Sequence, residues 1–193
     1  MSMTDFPKTA AEVRTLADNL VRFLKEEIKD TQQPFEWTYQ NISLLDRYYR
    51  DQGLACFFTG SPDGPEFLWD FVGYFKEQGN LIAVESEHKT DHKAIAWDFD
   101  KLLYGISPLK LMMCRIDTKF YAAPEKEAER IRSVLEEHLK SSCKQYSSGE
   151  IFIIYCVCWA DKDGKNQDFA YTLQIEGEPN YKPAGDGQHF QRL

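Results

Sequence analysis

A chain of 193 residues, 42% apolar and 28% charged, has the composition of one ordinary globular domain long enough to bury a real core. No run approaches the roughly eighteen apolar residues of a membrane span, and the opening Met-Ser-Met-Thr-Asp-Phe-Pro-Lys lacks the basic-then-apolar plan of a signal peptide, so a cytoplasmic protein with no membrane partner is expected. A net charge of −8 weighs against gripping nucleic acid through bulk charge, which takes clustered Lys and Arg.

Thr9-Ala10-Ala11-Glu12 has the spacing of a capping box. Val13, Leu16, Leu20, Phe23, Leu24 and Ile28 recur behind it at helical intervals, which predicts an amphipathic helix over roughly 10–29. The polar, Pro-containing stretch Asp30–Pro34 ends it. Phe35–Tyr39 is ambiguous, after which Ile42, Leu45 and Tyr49 predict a shorter helix that Gly53 closes. Trp37, Tyr39, Tyr48 and Tyr49, with Arg47 and Arg50 interleaved, suit either stacking on bases beside phosphates or packing against a sheet. Leu54–Phe58 reads as a short strand, and Gly60-Ser61-Pro62-Asp63-Gly64-Pro65 is the strongest turn signal in the chain.

Two apolar runs follow, Phe67–Tyr74 with Asp70 embedded in it and Leu81–His88, separated by a turn at Lys76–Asn80. Side chains alternate across a strand, so Leu81, Ala83, Glu85 and Glu87 share one face. In a hairpin with Tyr74 opposite Leu81, counting outward sets Asp70 against Glu85; a slip of two residues sets it against Glu87. Either register gathers three carboxylates on one patch. Opposed like charges in a half-buried place cost several kcal/mol, and a bound cation relieves the cost and part of the net charge. His88 and His92 stand four apart, a zinc-like spacing on a helix, but the strand ends between them.

His92–Tyr104 is a predicted helix with Ile95, Phe99 and Leu102 on its apolar side, stopped by Gly105 and Pro108. Leu109–Cys114 is apolar on both faces apart from Lys110, as expected of an interior strand. Pro124, acids at 125, 127 and 129, and apolar Ile131, Val134, Leu135 and Leu139 predict a long helix to about Ser142, with His138 packed on its apolar stripe. Ile151–Trp159 is the most hydrophobic strand, Asp161–Gly164 turns into a last strand near Phe169–Ile175, and 177–193 is expected to be an extended or frayed tail. Five cysteines are not a disulfide framework. Cys56, Cys114, Cys156 and Cys158 lie in apolar runs and pack as small hydrophobes, and Cys156-Val157-Cys158 lacks the second half of a zinc site.

Helices before and between strands, with hairpin-linked opening strands, imply an α/β protein: an α/β/α sandwich around a mixed central sheet of about five to six strands. One domain over 1–176 is expected, with a helical part at 9–52 and the sheet with its helices at 54–176.

This order of elements, with an Asp on the second strand of a meander and an acidic doublet ending the third, resembles the PD-(D/E)xK, or restriction-endonuclease-like, nuclease superfamily. The resemblance covers roughly residues 36–160. It implies a magnesium (or manganese) site formed by Asp70, Glu85 and the Ser86 carbonyl, phosphodiester hydrolysis, nucleic acid as partner with DNA ahead of RNA, and a homodimer where both strands are cut. Carried over by position, Asp70 matches the motif Asp and Glu85 the first acid of the doublet. Glu87 stands where the family usually has Lys, and Trp69 where Pro precedes the Asp.

Some type II restriction enzymes have Glu-x-Glu here, and Glu87 could then bind a second ion or take the proton of the attacking water. Lys89 or Lys101 could supply the missing ammonium. The helix following the doublet in several members is similar to Asp98-Phe99-Asp100-Lys101-Leu102, which favours Lys101, although Asp98 and Lys101 are also spaced for a plain surface ion pair. Glu36 or Asp46 is a candidate for the auxiliary acid that members carry on an early helix. The alternative function is a catalytically inactive protein of the same fold, serving as a nucleic-acid- or protein-binding regulatory module.

Overall fold

The computed structural model describes residues 6–28, 37–58, 68–116, 123–142, 149–158 and 167–175. Asp30–Pro34, Glu36, the turn at 60–65, Cys143, Asp161–Gly164 and the 177–193 tail lie outside the described residues. Four helices and six strands follow in the order α1 (Ala10–Glu27), α2 (Trp37–Arg50), β1 (Ala55–Phe58), β2 (Phe71–Phe75), β3 (Gly79–Glu87), α3 (His92–Tyr104), β4 (Leu109–Ile116), α4 (Pro124–Ser142), β5 (Ile151–Cys158) and β6 (Gln167–Gln174).

The strands form one mixed sheet in sequence order, β1-β2-β3-β4-β5-β6. β1–β2–β3 is an antiparallel meander, β3, β4 and β5 are parallel, and β6 returns antiparallel on β5. Parallel neighbours need long crossovers, and α3 and α4 are those crossovers. One buried cluster packs α1 and α2 on Phe71, Ile82, Val84, Leu111, Met113, Ile153 and Tyr155. The other packs α3 and α4 on Val72, Ala83, Met112, Cys114, Phe152, Ile154 and Cys156. Helices on both faces leave the central strands no solvent side, which is why β4 and β5 read as continuous apolar runs. The expected α/β class and mixed sheet are observed, with six strands. Among the described residues no helix is long and apolar enough to cross a membrane.

Local signals account for most element ends. Thr9 and Glu12 form the reciprocal capping box that starts α1. Asp91 caps α3 by accepting from the Lys93 amide. α2 begins at Trp37, inside the stretch whose pattern was ambiguous. Gly79 takes φ +105°, a left-handed turn that L side chains resist.

The hairpin register differs from the expected one at its closed end. Phe71, Val72 and Gly73 pair with Val84, Ala83 and Ile82 as counted, but a bulge between Gly73 and Tyr74 sets Tyr74 opposite Asn80. The correction is one residue, because a three-residue turn with Gly79 in its first pair closes the hairpin more tightly than a 75–80 loop does. The alternative register, with Asp70 facing Glu87, is not formed.

His138 is a second correction. It is half-exposed, and its Nδ1 lies 3.2 Å from Asp100 Oδ1, so it links α4 to α3 instead of packing in the core. Cys56, Cys114, Cys156 and Cys158 are buried free thiols, as expected.

Candidate active site

The pairing of β2 with β3 stops at Phe71 and Val84, so the last residues of β3 have lost a neighbour on that side. Asp70 lies one residue beyond the last pair, close enough for its charge to act on Glu85. Asp70 lies in the bend before β2, and its Oδ2 accepts the Ser86 amide at 2.8 Å, taking the place of the missing strand. On β3, Glu85 and Glu87 alternate with Ser86 and face the α3 side, as Ala83 does. Both glutamates are buried, Glu85 to 1% exposure.

From α3, Lys101 Nζ reaches Glu85 Oε2 at 3.0 Å and Asp98 Oδ1 at 2.6 Å. Asp98 is also hydrogen-bonded to Glu87, whose Oε1 accepts the Lys89 amide at 2.8 Å. A continuous chain therefore runs Glu87–Asp98–Lys101–Glu85, with Asp70 beside Glu85. The predicted surface ion pair of Asp98 and Lys101 exists, but it is only one arm of this network. Lys89 is exposed, so the ammonium at Glu85 is that of Lys101.

The network is short of positive charge. Burial, then the neighbouring Asp70 charge, pushes the Glu85 carboxyl up to about 8 against the pull of Lys101. Burial raises Asp70 as well, opposed by the Ser86 amide, and raises Glu87, helped by its hydrogen bond to Asp98. Burial works against the Lys101 ammonium, yet its bonds to Asp98 and Glu85 prevail and its pKa is raised. Four carboxyls face the single Lys101 ammonium, and Glu85, the most deeply buried of them, is the one pushed furthest toward its protonated form.

One atom is left over. Glu85 Oε1 is buried and has no hydrogen-bond partner among the described residues. A buried carboxyl oxygen without a partner costs about 1–3 kcal/mol, a cost that a bound cation would relieve. Its neighbours are hard oxygen donors of the kind magnesium takes, one or two carboxylates with the remaining positions left to water. Among the described residues no group of three or more His, Cys, Asp or Glu side chains is arranged to hold a metal ion. The Asp70–Glu85 pair is one side chain short of such a group, and the additional protein oxygen would be the Ser86 carbonyl.

Other expected candidates lie elsewhere. His88 is exposed beside Glu87, and His92 Nε2 contacts Glu127 Oε1, so the two histidines do not converge. Asp46 is held by Arg50 at 2.7 Å. Trp37 and Tyr49 are buried in the core, Tyr48 packs on Phe23, and Arg47 binds Glu27 at 2.6 Å, leaving Tyr39, 72% exposed, as the exposed aromatic of that group. The helical pattern that puts aromatics every four residues also turns them onto the sheet, and this is why the base-stacking surface is not formed there.

Two contributors, Asn41 and Thr38, were not singled out by the sequence, and a third, Trp69, stood out only as the residue in place of Pro. Asn41 follows Trp37 and precedes Leu45 and Tyr49 at four-residue steps, so it is a polar residue on the apolar stripe of α2, a signal that could have found it. Thr38, on the same helix, donates to the Ser86 carbonyl at 2.9 Å. Trp69, in the position of the family's Pro, donates its indole N–H to the Lys101 carbonyl at 3.0 Å and ties the bend before Asp70 to α3.

That tie has a steric counterpart at Gly105. Its backbone, at φ −80°, accepts any residue, but a Cβ there would stand 2.5 Å from Trp69 Cζ2. Gly105→Ala is expected to destabilise the protein by about 1–3 kcal/mol in urea unfolding, since the indole must shift and its bond to Lys101 lengthen.

No family model, no curated protein and no solved structure matches the chain.

Proposed function

We propose that this chain is a magnesium- or manganese-dependent phosphodiester hydrolase on a restriction-endonuclease-like core, acting on DNA in preference to RNA. The observation that supports it is the Asp70–Glu85 pair at the open end of the β2–β3 hairpin, with an ammonium on one Glu85 oxygen and nothing on the other. An α/β arrangement with a six-strand mixed sheet is compatible with such a core and supports the reading to that extent.

Asp70, Glu85 and the Ser86 carbonyl would hold the ion. When bound, such an ion acidifies a water and offsets charge developing on phosphorus. The Ser86 amide fixes the Asp70 carboxylate so that its second oxygen stays available. Lys101, kept protonated by two carboxylates, acts as a cationic hydrogen-bond donor and not as a base, taking from the helix the place that the family's lysine takes from the strand. Glu87, whose carboxyl lies beside Asp98 and is raised above its ordinary value by burial, would be an acceptor for a proton leaving the attacking water.

The test is cleavage of plasmid and single-stranded DNA with magnesium or manganese. Wild type is expected to cut, and Asp70→Asn and Glu85→Gln to lose at least about a hundredfold of that activity, the size of effect that removing one charge-stabilising group has. One observation favours the second reading, a nuclease-fold protein without catalysis: both Asp98 and Glu85 already occupy the Lys101 ammonium. A clean preparation that gains thermal stability from magnesium but cuts no nucleic acid would select it.

A further inference from the structure

Ser86 is held from three directions. Its N–H and C=O lie on the side of β3 that β2 has vacated. The N–H donates to Asp70, and the C=O accepts the Thr38 hydroxyl at 2.9 Å. Its own hydroxyl accepts from Asn41 Nδ2 at 3.1 Å. Asn41 is fully buried, and Thr38 and Asn41 are one turn apart on α2, so a single helix face meets both the carbonyl and the side chain of Ser86. No strand ladder fixes this peptide on that side, and α2 does so in its place.

We infer that Thr38 is a positioning residue for a divalent cation at Asp70 and Glu85: its hydroxyl sets the direction of the Ser86 carbonyl, one of the oxygens that would face the ion. The inference rests on the proposed metal site, and so on the unpartnered, buried Glu85 Oε1. A carbonyl oxygen has two acceptor positions, so the Thr38 bond leaves one for the ion and polarises the oxygen toward a fixed angle. Partners of this kind, which orient a ligand without touching the ion, alter affinity when removed. Asn41 holds the same residue through its side chain, from inside the core. Its Oδ1 has no partner among the described residues, so the amide is anchored through Nδ2 alone.

Calorimetric titration of the full chain with Mn2+ tests this. Thr38→Val keeps the shape of the side chain and removes the donor, and it is expected to weaken Mn2+ binding by about 10- to 100-fold while the thermal midpoint of the metal-free protein stays near wild type. Thr38→Ala repeats the loss without added bulk, and Thr38→Ser, which keeps the hydroxyl, restores affinity.

Affinity for Mn2+ within about twofold of wild type in folded Thr38→Val or Thr38→Ala overturns the inference, and so does a fall in the thermal midpoint with affinity unchanged. Asp70→Asn separates this from the underlying reading. If Asp70→Asn abolishes binding and Thr38→Val does not, the metal site stands and the role of Thr38 falls. If wild type and Asp70→Asn bind alike or not at all, both fall together.

Discussion

Replacing Glu85 by Gln is expected to make the metal-free protein more stable above about pH 8 and to leave it nearly unchanged below about pH 4.5. The folded-state pKa of Glu85 is raised from an ordinary 4.5 to about 8, so between those values the folded chain binds a proton that the unfolded chain has released. Stability then falls as pH rises through that window, and the loss is complete above the folded value. A shift of this size corresponds to on the order of 5 kcal/mol, and for a chain of this length each kcal/mol moves the thermal midpoint by about 2–4 °C. Gln carries no proton to lose, so the variant skips that descent, while Lys101 keeps Asp98 as its partner.

Magnesium separates this charge effect from simple repacking. The ion is expected to stabilise wild type most where the carboxylates are deprotonated and to do nothing for Glu85→Gln, because the ligand oxygen at issue is gone. Parallel stability profiles for wild type and variant between about pH 5 and 9 would mean that Glu85 is an ordinary solvated carboxylate, and the case for a cation would lose its main support.

Much of the architecture was legible because periodicity and punctuation agreed. The helices at His92–Tyr104 and from Pro124 to about Ser142 were legible from their apolar periodicity, with Gly105 and Pro108 as the stop in one case and Pro124 with its following acids as the start in the other. The register that brings Asp70 near Glu85 was also accessible, because the count outward from the hairpin is insensitive to the bulge: Phe71, Val72 and Gly73 pair with Val84, Ala83 and Ile82 as counted. The bulge itself was not, since nothing in Tyr74–Leu81 distinguishes a three-residue turn from a longer one.

The site was legible only where chemistry lies along one strand. Asp98 looked like half of a surface ion pair, because helical spacing cannot show that the next layer is a buried glutamate. Thr38 and Asn41 act across 48 and 45 residues of chain, a separation that no local pattern encodes. Tyr48 and Tyr49 were open between two readings, a binding face and packing on the sheet, and the structure shows the packing, since burying an aromatic ring contributes more than leaving it exposed.

At the other end of the parallel strands, breaking the Lys110–Glu150 pair is expected to cost about 3–5 kcal/mol. Lys110 was the odd residue of an otherwise apolar strand. Its Nζ lies 2.6 Å from Glu150 Oε2 and 4.7 Å from the centre of the Phe152 ring, and the two residues are 0% and 1% exposed. Burial lowers the Lys110 pKa, and the Glu150 carboxylate opposes that shift. Lys110→Met leaves a buried carboxylate and Glu150→Gln a buried ammonium, and each variant is expected to unfold in urea at clearly lower midpoint. The double variant Lys110→Met, Glu150→Leu removes both desolvation costs together and is expected to recover most of the loss, because a buried ion pair repays little more than it cost to bury. A double variant as unstable as the sum of the singles would instead show that the charges hold β4 and β5 through contacts that an apolar pair cannot replace. Neither outcome depends on the cation site. Lys110 pairs with Ala83, two residues before Glu85 on β3, and Glu150 immediately precedes β5, so metal affinity in these variants should follow wild type as long as the fold persists.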